Sequence, residues 1–390
     1  MIKMTIKKNK RIWMEIFLIV ALIFCALNFS NTIKSLFFLG TMLLLWISLN
    51  PKLKWAKKEK MPILILCVIF FVILFQKISN NSFISLSSTL CIFSIIYLPI
   101  LLDFLFKSNF DNYEFFYKII IYTSLLFSIY ALFTQISSGY YDSRESALGY
   151  VSKNFISAMS YLIMPLSLYN IVTRGLKQSF LPICSIVVSG LLVLVSSSRT
   201  AFGIIILILV SLGILFAKDL KKMIIFSIIV VITAIVLNRL VITNEQIGLL
   251  FERGMTFYNT FGTDSRSILL ETSIAKFNGF SIYEKLFGCG TNQIYCFNLW
   301  TQPHNIFLEV LLAFGIVGLV AYVVSLIWLL MKYLRGTKKI QKFFIIQMSC
   351  IWLVTTCLHP FFSTNYTVVF LVSVTIFIIG RDKYEINKKN

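Results

Sequence analysis

Long apolar runs separated by short polar segments make up most of the chain. A helix needs about 20 mostly apolar residues to cross the hydrocarbon core of a bilayer. The pattern therefore predicts an all-α polytopic membrane protein, with residues 1–390 as a single integral membrane domain. The basic N-terminus resembles a signal sequence, but no small-residue cleavage site follows, so we expect it to be retained. The twelve predicted spans are 12–29, 33–49, 61–77, 84–106, 116–137, 154–173, 180–197, 200–217, 223–241, 303–331, 342–360 and 364–380.

The composition narrows the class of protein further. Hydrophobic residues make up 58% of the chain and charged residues only 13%. A water-soluble fold lacks the polar surface needed to cover so much apolar side chain. This excludes a soluble cytosolic enzyme and a disordered chain. It also excludes a nucleic-acid-binding protein, which a net charge of +20 would otherwise suggest.

The basic residues instead indicate topology, because lysine and arginine are enriched in cytoplasmic loops. Placing both termini in the cytoplasm puts most of the 36 basic residues on the inner side. Two long segments then lie on the outer side, residues 138–153 and the large loop 242–302. Since loops held by a rigid scaffold commonly carry function, we expect the chemistry on this face. The amphipathic stretch 264–280 predicts one or two short helices at the membrane surface.

Two histidines are present, His304 and His359, each at the outer end of a predicted span. Histidine is the usual general base near neutral pH. Pro303 suits the first turn of a helix, which would hold His304 at the membrane surface. His304 is thus either a catalytic base or an interfacial residue without a chemical role, whereas for His359 we expect the second.

Arg199 stands between two apolar runs, directly after serines 196–198. An arginine at membrane depth costs about 2.5–3.5 kcal/mol on insertion scales, and such residues are frequently functional. Alternatively, its side chain extends to the lipid headgroups from a short loop. The serine hydroxyls favour an anion-binding pocket. Arg266 is either a second anion ligand or an exposed loop charge, and the same two interpretations apply to Arg144, Lys153, Arg239 and Arg253.

Several outer cations with a neutral histidine suit displacement of a phosphate or pyrophosphate leaving group. The arginines would neutralise the leaving phosphates, and the histidine would take a proton from the attacking hydroxyl. The sequence has no Asp-x-Asp pair, phosphate-binding loop, HExxH or GxSxG motif. Their absence disfavours a nucleotide-powered or zinc-dependent enzyme. We therefore expect a lipid-linked donor and no nucleotide or zinc cofactor.

The eight cysteines show no metal-binding spacing. Most lie inside apolar runs, where cysteine behaves as a small hydrophobic residue. Cys289 and Cys296 lie in the large outer loop, where the oxidising compartment allows a disulfide between them. Two separate thiols are equally compatible with the sequence.

Three segments resemble signatures of the O-antigen ligase and O-antigen polymerase superfamily. Residues 196–203 (SSSRTAFG) resemble its Ser-Arg-Thr signature. Residues 286–292 (LFGCGTN) look like its Gly-x-Gly turn near the end of the large periplasmic loop. Residues 304–318 are similar to its His-Asn-x-x-Leu…Gly-x-x-Gly helix start, and residues 149–154 more loosely resemble its loop-to-helix asparagine.

This resemblance implies a glycosyltransferase C-like membrane fold. It implies transfer of a glycan from undecaprenyl pyrophosphate to an acceptor hydroxyl at the outer face, without metal and with inversion at the sugar. His304 would activate the acceptor, while Arg199 and Arg266 would hold the pyrophosphate. Arg266 lacks the tryptophan that often follows the family's loop arginine. Further candidates for supporting roles are Lys153, Asn154, Arg253, Asn305 and Glu309.

Within this superfamily we expect a polymerase that joins undecaprenyl-pyrophosphate-linked repeats of O-antigen or capsule in the inner (cytoplasmic) membrane. The preference rests on the diversity of the polymerases, since no residue identifies the acceptor. Its partners would be the lipid-linked oligosaccharide, membrane lipid, a flippase and a chain-length regulator, with no nucleic acid. One alternative is an O-antigen ligase that transfers the glycan to lipid A core. Another is a transporter of lipid-linked sugars or another secondary transporter, which would show repeat symmetry, broken helices or buried polar groups at mid-membrane.

Overall fold

A computed structural model describes residues 113–137, 153–196, 198–217, 219–243, 265–290, 303–358 and 366–382. Every regular element within these ranges is helical, in agreement with the predicted class. A 3₁₀ turn, Leu176–Gln178, joins the second and third helices. The α-helices in chain order are α1 Tyr113–Ser137, α2 Lys153–Arg174, α3 Phe180–Ser196, α4 Arg199–Phe216, α5 Leu220–Thr243, α6 Ser265–Asn278, α7 Ile282–Phe287, α8 Ile306–Leu334, α9 Lys339–Leu358 and α10 Tyr366–Arg381.

The helices account for the predicted spans from residue 116 onward. Four described helices are long and apolar enough to cross a membrane, namely α1, α2, α8 and α9. The apolar parts of α3, α4, α5 and α10 are shorter. The predicted spans within residues 12–106 lie outside the described residues. The total of twelve spans and the side of each loop therefore stay predictions.

The chain divides into two compact units. Of the described residues, those within 117–243 and 338–355, with residue 382, form one, which we call the Arg199 unit. Those within 113–116, 265–337 and 356–381 form the other, which we call the His304 unit. Arg266 thus belongs to the same unit as His304, whereas Asn154 belongs to the same unit as Arg199.

Among the four long apolar helices described, α2 is the most buried. Its Ile156 forms a buried cluster with Ala131 of α1 and Leu192 of α3. Ser167 of α2 and Ser189 of α3 are also fully buried, which is typical of membrane helices that approach closely through small side chains. By contrast, α1 and α5 carry long exposed apolar faces, as expected where a helix meets lipid.

Polar side chains join α2 to α9 within the same unit. The hydroxyls of Tyr161 and Thr355 lie 3.2 Å apart. The Tyr169 hydroxyl donates to Oδ2 of Asp382 at 2.9 Å. Gln341 Nε2 donates to the Asp382 carbonyl at 2.7 Å. These hydroxyl and amide groups thereby find hydrogen-bond partners between helices, as burial in a low-dielectric interior requires.

Helix α8 differs from the straight span that the sequence predicts over 303–331. Gly315 has φ 67° and ψ −169°, a conformation outside the helical region. The rings of Phe307 and Tyr322 lie 6.3 Å apart, whereas fifteen residues extend about 22 Å along a straight helix. The two parts of α8 therefore fold back sharply at Gly315. Residues 316–334, about 28 Å long as a helix, suffice on their own to cross the hydrocarbon core.

Candidate functional site

The start of α8 places His304 beside a capped helix end. Asn305 is the N-cap, and its Oδ1 accepts hydrogen bonds from the main-chain N–H groups of Phe307 at 3.0 Å and Leu308 at 3.3 Å. Asparagine is favoured here because its short side chain reaches the otherwise unsatisfied N–H groups of the first turn. Pro303 therefore precedes the helix, and the prediction that it occupies the first turn is wrong.

His304 has an unusual backbone conformation. Its φ of 56° is the only positive φ among the described non-glycine residues. Such a conformation costs on the order of 1–3 kcal/mol and occurs frequently at functional sites. The buried Pro303 on one side and the Asn305 cap on the other hold this geometry. His304 is partly buried as a residue, and its Nδ1 atom is fully buried.

Glu309 lies in the first turn of α8, close in sequence to His304. Its side chain is only 3% exposed, and its main-chain N–H donates to the Asn305 carbonyl at 2.9 Å. An acidic residue in a first turn is favoured by the helix dipole, although burial of a carboxylate is otherwise costly. The structure thus groups three of the predicted site residues, His304, Asn305 and Glu309, at one helix end.

Two helices, α6 and α7, occupy the described part of the large loop, in which the sequence predicts one or two. Arg266 is the second residue of α6, and its side chain lies outside the described part of the structure. A capping box begins α7, with Ser281 N–H donating to Glu284 at 2.9 Å and Glu284 N–H donating to Ser281 Oγ at 3.2 Å. The position of these helices at the membrane surface stays a prediction.

A turn at residues 288–290 follows α7 and docks on the break in α8. The Cys289 N–H donates to the Leu312 carbonyl at 3.0 Å, and the Gly290 N–H donates to the Ala313 carbonyl at 3.0 Å. In a continuous helix these two carbonyls would accept from residues 316 and 317. The break at Gly315 releases them, and the turn satisfies them instead.

Glycine is required on both sides of this contact. A Cβ at Gly288 would overlap the main chain of Ala313, and a Cβ at Gly315 would overlap the main chain of Leu286. Their φ values are 79° and 67°, with ψ near 180°, a region that essentially only glycine adopts. The two glycine motifs, separate in the sequence, therefore form one contact, which we call the glycine clasp.

In the Arg199 unit, the predicted break between two spans is present. Helix α3 ends at Ser196 and α4 begins at Arg199. Ser198 occupies the N-cap position, but its hydroxyl donates to Oδ1 of Asn154 at 3.0 Å instead of capping α4. Asn154, the second residue of α2, thus fixes the residue before Arg199. A helix N-terminus favours an anion.

Other predicted residues are described less fully. Lys153 is the first residue of α2, but its side chain and that of Arg199 lie outside the described part. Cys289 is buried, while Cys296 lies outside the described residues, so their disulfide stays a prediction. The remaining candidates outside the described residues are Arg144, Arg253 and His359.

Sequence reasoning missed two contacts of this site. It did not pair Asn154 with Ser198, and a single sequence offers no signal for that pairing. It also treated α8 as one helix. An isolated glycine in a helical run, here Gly315, is a recognised sign of a break or a close approach, and it could have identified the clasp.

One comparison with known proteins bears on this site. Residues 184–323 match the family model described as O-antigen ligase. The matched range contains the break at Ser198, helices α6 and α7, the His304 end of α8 and the glycine clasp. The match confirms the superfamily that the motifs indicated. No curated protein matches the chain.

Proposed function

Because residues 184–323 carry the O-antigen ligase domain, we propose that this protein is a glycosyltransferase that polymerises undecaprenyl-pyrophosphate-linked oligosaccharide repeats. One observation carries the proposal: a single family domain contains both the helix break beside Arg199 and the strained, capped helix end of His304. We place the protein in the inner membrane with both termini in the cytoplasm. The reaction would take place at the outer face, with a flippase supplying the donor and a chain-length regulator as a partner.

The proposed reaction is one displacement at the anomeric carbon of the donor sugar. His304 takes the proton from an acceptor hydroxyl as its oxygen attacks that carbon. The bond between the sugar and the pyrophosphate breaks, and undecaprenyl pyrophosphate leaves with the bonding electrons. A single displacement inverts the anomeric configuration.

Arg199 and Arg266 act on the departing pyrophosphate in this proposal. Guanidinium groups bind phosphate oxygens through two parallel hydrogen bonds, so they neutralise the charge that develops on the leaving group. Arg199 is the first residue of α4, where the helix dipole adds to the attraction. Two such groups would replace the metal that many glycosyl transfers use.

The supporting residues divide into those with a described contact and those without. Asn305 caps the helix that carries the base, and Asn154 fixes Ser198 beside Arg199. The buried Glu309 lies one turn from the base and would favour its protonated form after the transfer. Lys153 and Arg253 are proposed as additional outer cations near the donor.

The two alternative functions, a ligase and a transporter, differ in how well the structure and the family domain support them. A ligase would use the same donor chemistry and differ in its acceptor, lipid A core. Broken helices are typical of transporters, and since α8 is broken at Gly315, helix continuity does not argue against that class. The family domain favours a transferase over a transporter.

A reconstituted reaction tests the proposal. The purified protein in vesicles receives a lipid-linked repeat together with either a second repeat or lipid A core as acceptor. We expect a ladder of polymers and release of undecaprenyl pyrophosphate with the repeat alone. Transfer to lipid A core without a ladder would identify a ligase. Movement of the intact donor across the vesicle, with no new glycosidic bond, would identify a transporter.

A further inference from the structure

We propose that Gly288 and Gly315 are positioning residues, which fix the large loop against the His304 end of α8 and so set its loop arginine relative to the base. The expected effect on the reaction rests on the proposed function. The contact between the turn and α8 is observed in the structure and does not depend on that function.

The clasp makes the turn and the break depend on each other. The Leu312 and Ala313 carbonyls accept from the turn only because α8 is broken. In return, the break leaves buried carbonyls that would cost free energy without the Cys289 and Gly290 N–H groups. Loss of either side therefore opens both.

The position of Arg266 also depends on the glycine clasp, because Arg266 lies in the same loop segment as Gly288. Helices α6 and α7 both pack against α8, and Leu269 and Ser273 of α6 are buried. The capping box stabilises the first turn of α7, and Gly288 directly follows the last residue of this helix. Docking of the turn thus anchors the C-terminal end of the helical segment 265–287, in which Arg266 is the second residue. A small misplacement of a catalytic group can lower a rate a hundredfold, so this register matters for transfer.

Two variants and one control separate the clasp from ordinary glycine effects. Gly288→Ala and Gly315→Ala each add a Cβ that overlaps main chain. Gly336→Ala is the matched control, because Gly336 has φ 75° and lies in the same unit, yet a Cβ there meets nothing within 4 Å. It carries the cost of a positive φ without the collision.

Cys289 reports docking directly, because it lies in the turn and is only 8% exposed. Maleimide labelling of the previously reduced protein, followed by peptide mass spectrometry, measures the reactivity of its thiol in the folded state. We expect slow labelling in the wild type and in Gly336→Ala, and labelling about tenfold faster or more in the two clasp variants. Rapid labelling of the wild type would overturn the clasp.

Turnover per folded molecule reports positioning. We expect the turnover number of monodisperse Gly288→Ala and Gly315→Ala to fall about tenfold or more, with Gly336→Ala close to wild type. A merely structural role would lower the yield of folded protein and leave its turnover unchanged. Faster labelling with normal turnover would therefore overturn the positioning role.

Hydrogen exchange on the wild type covers the case in which the clasp variants do not fold. The amides of Cys289 and Gly290 should exchange slowly, and exchange as fast as in the exposed first turn of α7 would overturn the clasp. If the wild type transfers no lipid-linked glycan, the proposed function fails. Labelling and exchange still decide the clasp in that case.

Discussion

Two helix breaks occur in the segments that carry the candidate site residues, and they are held in different ways. The break before Arg199 depends on one side-chain hydrogen bond, from Ser198 to Asn154. The break in α8 depends on main-chain hydrogen bonds and on glycines that leave no room for a side chain. A side-chain link can be removed with limited loss, whereas a main-chain contact tolerates no added atom. The helix that begins after His304 is thus fixed by main-chain contacts, whereas the residue before Arg199 is fixed by a side chain.

The largest expected effect tests whether the N-terminal end of α8 carries the reacting group. His304→Ala should lower glycan transfer by about two to four orders of magnitude, because the acceptor hydroxyl loses its base. The measurement is transfer rate per folded protein in vesicles. His359→Ala is the control, and we expect little change there. Equal rates in wild type and His304→Ala would remove His304 from the mechanism.

The next effect tests whether the Ser198 break carries the anion-binding group. Arg199→Lys should reduce transfer about tenfold or more, because a point charge replaces a planar group that makes two parallel hydrogen bonds. Arg239→Lys, an exposed cation of α5, serves as control. Normal transfer by the Arg199 variant would contradict bidentate binding of the pyrophosphate.

A smaller effect concerns the side-chain link itself. Ser198→Ala and Asn154→Ala should each destabilise the protein, and a double-mutant cycle should show a coupling of about 0.5–1.5 kcal/mol. Unfolding in detergent followed by denaturant titration gives these values. Thr134→Ala removes an exposed hydroxyl bonded within its own helix and should change stability little. A coupling near zero would mean that the link does not hold this break.

The last prediction is that a metal chelator has no effect on glycan transfer. EDTA should leave transfer by the purified protein unchanged, because in the proposed mechanism two arginines stabilise the leaving pyrophosphate. The rate is measured before and after dialysis against the chelator. Strong inhibition that returns to normal with added Mg²⁺ would replace the metal-free mechanism.

The sequence predicts the helices better than their interruptions. Apolar runs located the described spans, and the serine cluster located the break at residue 198, because both are local properties. The break at Gly315 was missed because an apolar run continues across it. The reason for the break is visible only in the structure, where the turn at residues 288–290 docks on α8. Asn154 and Ser198 lie 44 positions apart, so their bond depends on tertiary packing that local patterns do not encode.

The close approach of Phe307 to Tyr322 has a consequence for depth. Tyr322 lies about 10 Å along the second part of α8 from the break, so the chain just after His304 returns to the level of that residue. With residues 316–334 as the span in the proposed orientation, the start of α8 would lie level with the outer leaflet instead of extending beyond it. A polyprenyl carrier keeps its diphosphate at that level while its tail remains in lipid. The acceptor hydroxyl and the donor sugar would then meet there while the polyprenyl tail of the donor stays in the bilayer.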